Sequence, residues 1–191
     1  GVIPTPENTG QLVTLRDLCR RETGLELPLL SGGNTAGLPL VASGCLPHEI
    51  NHLRIGEGIL LGRNPVDRSP WPGTRQDTFM VVAEIIEVEN KPSMPIGARG
   101  QDAFGGSEAF IDRGMRLRAI CNLGRQDTVL TDLIPVEPGI EVLGGSSDHL
   151  ILDIEAMNPK PRVGDDLYFY PSYAALLALA TSPYVSKYVV A

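Results

Sequence analysis

Two apolar runs, each followed by small residues and then by a segment able to start a helix, constrain the first third of the chain. The first run, residues 27–30, leads into Ser31-Gly32-Gly33-Asn34, and the second, residues 50–55, leads into Gly56-Glu57-Gly58. Strand–helix–strand alternation predicts parallel pairing in an α/β unit. Helix starts leave backbone N–H groups without intrahelical partners, and glycine lets an anion approach them closely. The pattern therefore predicts two neighbouring loops able to hold one phosphate.

Capping residues predict the first helix. Thr5 suits the N-cap, Pro6 and Glu7 suit the first turn, and Gly24 suits the residue after the last turn. The other elements predicted before residue 64 are strands at residues 25–30 and 50–55, a weak helix at 34–43 broken by Pro39, and a helical turn at 57–61.

The second part of the chain has β patterning. Residues 64–73 are rich in proline and turn residues, and the apolar runs after Phe79 predict a mostly antiparallel β domain. A helix is predicted at residues 172–180, with Ser172 as its N-cap and Pro183 beyond its end. The predicted strands are residues 79–88, 115–123, 140–143, 150–154 and 167–170, with turns at Pro138-Gly139, Gly144-Gly145 and Gly164-Asp165.

Composition excludes several classes of function. The formal net charge of −7 argues against general binding of nucleic acid or anionic membranes. No apolar run approaches the roughly 18 residues of a membrane span, and the start lacks a signal-like pattern, so we expect a cytoplasmic protein. No histidine or cysteine motif for a metal is present, and Cys19, Cys45 and Cys121 are expected to be buried free thiols.

Polar residues that could bind a ligand or take part in catalysis lie at the ends of the predicted strands. Arg54 interrupts an apolar run, so it either pairs with a carboxylate such as Glu57 or meets a ligand. In the β domain, Gly124-Arg125-Gln126-Asp127 and the segment Ser146-Ser147-Asp148-His149 lie at the rim, either as site residues or as solvated turns. Asp148 and His149 are not expected to form a dyad, since neighbours on a strand point to opposite faces. The glycines after Ser31 have a steric alternative too, a tight strand-to-helix turn.

Together these motifs resemble those of the alanine-racemase-like, fold type III amino-acid racemases that use pyridoxal 5'-phosphate (PLP), in the branch that includes ornithine racemase. The resemblance covers nearly the whole chain. Its most specific segments are Ile3-Pro4-Thr5-Pro6-Glu7-Asn8, Asn51-His52-Leu53-Arg54-Ile55-Gly56-Glu57, Gly124-Arg125-Gln126-Asp127 and Ser146-Ser147-Asp148-His149-Leu150.

The resemblance implies a mixed α and β fold, in which the terminal β/α units of a TIM-like barrel precede a mostly antiparallel β domain. Residues 1–63 would be the barrel remnant, 64–78 a linker and 79–171 the β domain. Residues 172–191 would form a C-terminal helix and tail that pack back on the barrel part. The family also implies an amino-acid substrate and a homodimer with the active site at its interface.

By the same resemblance, Arg54 would face the pyridine nitrogen of PLP. Because a guanidinium stays protonated, the ring nitrogen stays largely neutral and the ring is a weaker electron sink, which favours return of the proton to Cα over transamination. The residues implied to hold the phosphate are Ser31, Gly32, Gly33, Asn34, Ile55, Gly56 and Tyr173.

The chain departs from the family at its catalytic groups. The family's β-domain tyrosine is matched by Arg125, so Asp127, Asp148 or His149 would replace it or bind substrate. Asp148 matches a family aspartate near the substrate carboxylate, or would instead attract the ammonium group of a substrate side chain. His149 is the better proton carrier near neutral pH.

The lysine that anchors PLP covalently has no counterpart among Lys91, Lys160 and Lys187. We therefore expect a C-terminal portion of a racemase for an amino acid such as ornithine, inactive by itself. The alternatives are a non-catalytic β-domain module for dimerisation and a D-amino-acid lyase or dehydratase on the same scaffold. The zinc-dependent form of the latter is disfavoured because Ile151, not cysteine, stands two residues after His149.

Overall fold

The computed structural model describes residues 2–94, 96, 97 and 111–190. The chain divides into two compact units, Gly1–Thr78 and Phe79–Ala191. The domain boundaries expected from the sequence, at residues 63, 78 and 171, stay predictions.

The first helix, α1 (Pro6–Thr23), is built as its capping residues predict. Thr5 Oγ1 accepts a hydrogen bond from the Asn8 N–H (3.2 Å), and Asn8 Oδ1 accepts one from the Thr5 N–H (2.9 Å). Gly24 follows the last turn with φ +69°, a left-handed conformation that costs glycine little. This capping box and C-terminal glycine fix both ends of the helix.

The strand predicted at residues 25–30 is wrong, and the first strand is the glycine segment itself, β1 (Ser31–Asn34). The Asn51 side chain explains the difference, because its Oδ1 accepts from the Leu30 N–H (3.0 Å) and its Nδ2 donates to the Pro28 carbonyl (2.7 Å). One side chain thus takes backbone groups that a neighbouring strand would otherwise pair. The second strand, β2 (His52–Arg54), is shorter than predicted and pairs with β1 in parallel, which confirms the parallel pairing.

The helical segments after these strands are short. A 3₁₀ turn at Thr35–Gly37 leads into α2 (Leu38–Ala42), and α3 (Glu57–Leu60) follows β2. The prediction that Pro39 breaks this helix is wrong. Pro39 lies in the first turn of α2, where proline is tolerated.

In residues 61–78, three hydrogen bonds converge on one backbone carbonyl oxygen. The Gly62 oxygen accepts hydrogen bonds from the Trp71 N–H (2.7 Å), Thr74 Oγ1 (3.0 Å) and Gln76 Nε2 (3.1 Å). Gly62 has φ +61°, and a Cβ there would lie 2.2 Å from the Arg75 carbonyl oxygen, so the close approach requires glycine.

In the second unit, an antiparallel sheet confirms the predicted β fold. The described strands are β3 (Val81–Pro92), β4 (Met115–Cys121), β5 (Leu133–Pro135), β6 (Glu141–Gly145), β7 (Leu150–Asp153) and β8 (Asp166–Pro171). Their order in the sheet is β5-β8-β3-β4-β7-β6, and each pairing is antiparallel. The short edge strand β5 was not predicted.

One face of this sheet forms the core. On β3, Val81, Ala83 and Ile85 are buried, and the residues between them are exposed, as the two-residue period of a strand requires. The largest fully buried side chains are Phe169, Ile85, Leu150, Leu152, Ile154 and Cys121. The prediction of buried thiols is therefore right for Cys121 and wrong for Cys45, which is exposed, while Cys19 is half-buried.

The turn predicted at Gly144-Gly145 is wrong, because both glycines lie in β6. Gly145 pairs with Leu150 of β7, and a Cβ on Gly145 would lie 2.1 Å from the His149 carbonyl oxygen. These glycines thus allow a close strand approach, and the chain turns after them, at residues 146–149.

The last helix, α4 (Tyr173–Thr181), begins after Ser172 as predicted. Ser172 makes no capping bond, and its hydroxyl donates instead to Asp132 Oδ2 (2.7 Å). Ala175 and Leu179 join the core of the second unit. The expectation that this helix packs on the barrel part stays a prediction. No helix in the described ranges is both long and apolar enough to cross a membrane.

Candidate functional site

The parallel strands of the first unit bring Arg54 and Ser31 together. Arg54 lies at the end of β2 with an exposed side chain, and its Nη1 donates to the Ser31 hydroxyl oxygen on β1. The pairing with Glu57 considered from the sequence is not formed. Glu57 has a side chain only 12% exposed, and its Oε1 lies 3.8 Å from Arg68 Nη1.

The two glycines of β1 have different surroundings: a Cβ added to Gly32 would meet another side chain, and a Cβ added to Gly33 would meet open space. A Cβ on Gly32 would lie 2.4 Å from Ile50 Cγ2, so packing alone requires glycine there. Gly33 has φ +128° and nothing within 4 Å of an added Cβ, so there is open space beside its backbone. Asn34 Oδ1 accepts from the Ala36 N–H (3.0 Å) and caps the 3₁₀ turn.

The turns that follow the two strands are tied to each other. Thr35 Oγ1 accepts a hydrogen bond from the Gly58 N–H (3.3 Å), in buried surroundings. The Gly56 carbonyl accepts from the Ile59 and Leu60 N–H groups and begins α3, with Ile55 and Gly56 half-buried beside it. The structure thus brings together the predicted cofactor-binding residues of this unit: Ser31 to Asn34, Ile55 and Gly56, predicted for the phosphate, and Arg54, predicted for the ring nitrogen.

In the second unit, two rim loops lie directly against each other. The Arg125 N–H donates to the Ser146 carbonyl (2.9 Å), and the Gln126 N–H donates to the Ser147 carbonyl (2.9 Å). A Cβ on Gly124 would lie 2.1 Å from the Ser147 carbonyl oxygen. Only glycine allows this close approach. The candidate site residues in segments 124–127 and 146–149 therefore form one cluster.

The turn at residues 146–149 corrects the expectation for Asp148 and His149. Neither residue lies in a strand, and His149 Nδ1 is 3.3 Å from Asp148 Oδ1. The Ser147 hydroxyl bonds Asp148 Oδ1 (3.0 Å) and Ser146 does so at 3.2 Å. The Ser147 hydrogen bond is the main reason that the pKa of Asp148 lies below its usual value, with smaller contributions from Ser146 and the charge of His149. Both side chains are exposed to solvent, at 57% and 44%.

Asp127 differs from the other catalytic candidates because it is buried. Its carboxylate accepts hydrogen bonds from the Gly124 N–H (3.2 Å) and from the Ser182 hydroxyl (2.9 Å). Arg125, two residues before it, is half-buried. Ser182 was not singled out from the sequence, because its partner lies 55 residues away and no local pattern marks the pair.

Tyr173 is the first residue of α4, with 38% of its surface exposed. It belongs to the second unit, as do Arg125, Asp127, Asp148 and His149, whereas the other predicted phosphate-binding residues belong to the first. Among the described residues, no group of three or more His, Cys, Asp or Glu side chains is arranged to hold a metal ion.

Comparison with characterised sequences identifies related racemases. The chain is 44% identical over 187 residues to lysine racemase from Thermotoga maritima, covering 98% of this chain and 52% of that protein. It is 43% identical over 186 residues to ornithine racemase from Acetoanaerobium sticklandii, covering 97% of this chain and 53% of that protein. The chain thus spans about half the length of these relatives. No family model matches the sequence.

Comparison with solved structures supports the same fold. Alanine racemase from Bartonella henselae is similar with a TM-score of 0.58 at 20% identity, over 94% of this chain and 47% of that chain. D-threonine aldolase from Filomicrobium marinum is similar with a TM-score of 0.51 at 17% identity, over 91% of this chain and 43% of that chain. At such identities the likeness shows the fold alone. The chain is thus similar in sequence to about half of a lysine racemase and of an ornithine racemase, and similar in fold to part of an alanine racemase.

Proposed function

We propose that this chain is part of a PLP-dependent racemase that interconverts the L and D forms of an amino acid with a basic side chain. The carrying observation is the contact between Ser31, where β1 begins, and Arg54, where β2 ends. The second support is the sequence likeness, since the chain is 44% identical to a lysine racemase and 43% identical to an ornithine racemase.

The residues around this contact fit PLP in charge and space. Arg54 presents an exposed cation, and the backbone beside Gly33 is open. We assign the phosphate to Ser31, Gly32, Gly33, Asn34, Ile55, Gly56 and Tyr173, and the ring nitrogen to Arg54. When bound, PLP withdraws electrons from Cα and so makes its proton easier to remove. Ser31 holds the Arg54 guanidinium in place.

The rim cluster of the second unit supplies groups for substrate binding and proton transfer. His149 is proposed as a proton carrier, because imidazole gains and loses a proton near neutral pH. Asp148 is proposed to attract the ammonium group of the substrate side chain, since its lowered pKa keeps it charged. A protonated guanidinium cannot act as a base. We therefore propose that Arg125 binds a carboxylate and does not transfer a proton. Asp127 is buried, and both of its carboxylate oxygens accept hydrogen bonds within the protein.

We further propose a homodimer in the cytoplasm, with the active site at the dimer interface, and an inactive 191-residue chain when it is isolated. The exposed apolar side chains Leu29, Ile59 and Leu177 are consistent with surfaces that other parts of such an assembly cover. Light scattering of the protein that contains this chain tests the dimer, and a clean monomer contradicts it.

A lyase is the second candidate because the fold is shared with D-threonine aldolase. The racemase is preferred, since the relatives above 40% identity are racemases. The test is chiral chromatography of ornithine and lysine after incubation with PLP and the purified full-length protein that contains this chain. We expect both the L and the D form to appear when either ornithine or lysine is supplied as a single enantiomer. Release of an aldehyde or an oxo acid, together with bound zinc on metal analysis, would support the lyase instead.

A further inference from the structure

We infer that Asp127 is a positioning residue that fastens the Arg125 loop, residues 124–127, to the C-terminal helix and tail of the same unit. The inference rests on the proposed function for what Arg125 and its neighbours do. The contacts that carry it do not depend on that function. They distinguish Asp127 from the three exposed or half-buried candidates around it.

Asp127 uses both carboxylate oxygens within the protein. The residue is 4% exposed, Oδ2 accepts from the Gly124 N–H (3.2 Å), and Oδ1 accepts from the Ser182 hydroxyl (2.9 Å). Ser182 is 6% exposed, and its Oγ also accepts from the Tyr184 N–H (3.2 Å). One carboxylate thus joins the start of the Arg125 loop to Ser182, the residue that follows the last residue of α4.

Thr128 makes a second connection to the same helix. Its hydroxyl donates to the Ala175 carbonyl (3.3 Å), and its N–H donates to the Gly124 carbonyl (3.2 Å). Ala175 lies two residues after Tyr173, in the first turn of α4. The loop is therefore fastened near both ends of the helix that carries Tyr173.

The Arg125 loop in turn holds the loop of Asp148 and His149. The Arg125 and Gln126 N–H groups donate to the Ser146 and Ser147 carbonyls, both at 2.9 Å. Any shift of the Arg125 loop would move these two donors away from residues 146–149. Asp127 therefore acts on the proposed substrate-binding groups through Gly124, Arg125 and Gln126.

A direct role in proton transfer fits Asp127 poorly. A catalytic acid or base must reach the proton that it moves, within hydrogen-bond distance or through one water. Both Asp127 oxygens instead accept bonds from the protein, and the side chain is buried. The positioning role and the catalytic role predict opposite results for one conservative substitution.

The test compares Asp127→Asn with Asp127→Ala in the full-length racemase that contains this chain. Asparagine can accept from the Gly124 N–H through its oxygen and donate to Ser182 Oγ through its amide, so it can rebuild both connections without titrating. We expect kcat/KM within about fivefold of the unsubstituted protein for Asp127→Asn, and a loss of about 10- to 100-fold for Asp127→Ala. Equal large losses in both variants, with folding intact, would overturn the inference in favour of acid–base chemistry. Two variants with unchanged activity would overturn it as well.

Amide hydrogen exchange gives a readout that does not need activity. Ser182→Ala should speed exchange at residues 124–128 by about tenfold, whereas the matched control Thr181→Ala should leave it unchanged, because the exposed Thr181 hydroxyl bonds only carbonyls of its own helix. Identical exchange in the two variants would overturn the inference, and this comparison carries the test if Asp127→Ala fails to fold. If the unsubstituted protein has no racemase activity, the proposed function fails while the exchange result still decides the role of Asp127.

Discussion

Arg54 donates a hydrogen bond to the Ser31 hydroxyl across the parallel strands β1 and β2. The two residues are 23 positions apart. Ser31 begins β1 and Arg54 ends β2, and the parallel register, in which Ser31 pairs with His52, brings the two side chains within reach. This contact fixes the direction of an exposed guanidinium, which otherwise has several freely rotating bonds. It is the feature of the first unit on which the proposed cofactor site depends most.

Changing either partner of this contact should lower activity by different amounts. Arg54→Lys keeps the charge but loses the planar fork, so we expect a loss of about 100-fold in kcat/KM. Ser31→Ala removes only the support of the guanidinium and should cost about 5- to 10-fold. Steady-state kinetics of the full-length protein checks both. Arg75→Lys is the control, because Arg75 is exposed and pairs with Asp77 at 2.9 Å; equal activity of all three variants contradicts the assignment.

Substitution of Asp148 should affect binding of substrate more than turnover. If Asp148 attracts a side-chain ammonium, Asp148→Asn should raise KM for ornithine about 10-fold, with kcat changed less than threefold. Since the pKa of Asp148 lies below its usual value, the unsubstituted protein should keep its low KM down to about pH 4. The exposed Asp166 offers the control variant Asp166→Asn. An unchanged KM for Asp148→Asn would remove Asp148 from the substrate site.

The Arg116–Asp153 ion pair should make folding stability depend on pH. Burial would raise the pKa of the Asp153 carboxyl, but Arg116 at 2.8 Å and the Glu155 N–H at 3.0 Å hold it below its usual value. A lowered folded-state pKa stabilises the protein above the unfolded-state value of about 3.9, and this stabilisation is lost as pH falls through the folded-state pKa.

Asp153→Asn should therefore lower the free energy of unfolding by about 1–2 kcal/mol at pH 7. The difference from the unsubstituted protein should shrink below about pH 4. Denaturant titrations at several pH values measure it. A difference that is constant from pH 7 to pH 3 would show that the ionised carboxylate is not the stabilising form.

The three cysteines should react with thiol reagents at very different rates. Burial raises the pKa of the Cys121 thiol to about 12, so at pH 8 almost none of it is the reactive thiolate. Cys45 is exposed and should react first, and Cys45→Ser should remove this fast phase. Mass spectrometry of labelled peptides checks the order. Labelling of Cys121 in the folded protein at the rate of Cys45 would contradict the packing of β4.

The sequence predicts the elements that local chemistry determines. Thr5, Asn8 and Gly24 act through neighbours within four residues, so the ends of α1 could be predicted. Five of the six strands described in the β unit could be predicted from their apolar runs, whereas the short strand β5 could not. β1 could not be predicted in this way, because Ser31-Gly32-Gly33-Asn34 has a turn-like composition and becomes a strand only beside β2.

The candidate site is predictable in its residues and less so in its contacts. The motifs locate Arg54, Asp148 and His149, but the alternation rule for strands wrongly separates the last two, which lie in a turn. The buried Asp127–Ser182 bond joins residues 55 positions apart, and only the packing of α4 on the β unit brings them together. Long-range contacts of this kind leave no local pattern in the sequence.

Exchange of the Cα proton with solvent tests the central claim most directly. The full-length protein that contains this chain is incubated with PLP and L-ornithine or L-lysine in deuterium oxide, and both enantiomers are separated and weighed by mass spectrometry. We predict that D product forms with one Cα deuterium and that the L form also gains deuterium with time. Absence of Cα deuterium from both enantiomers, with the protein folded and PLP bound, would contradict the assignment as a racemase.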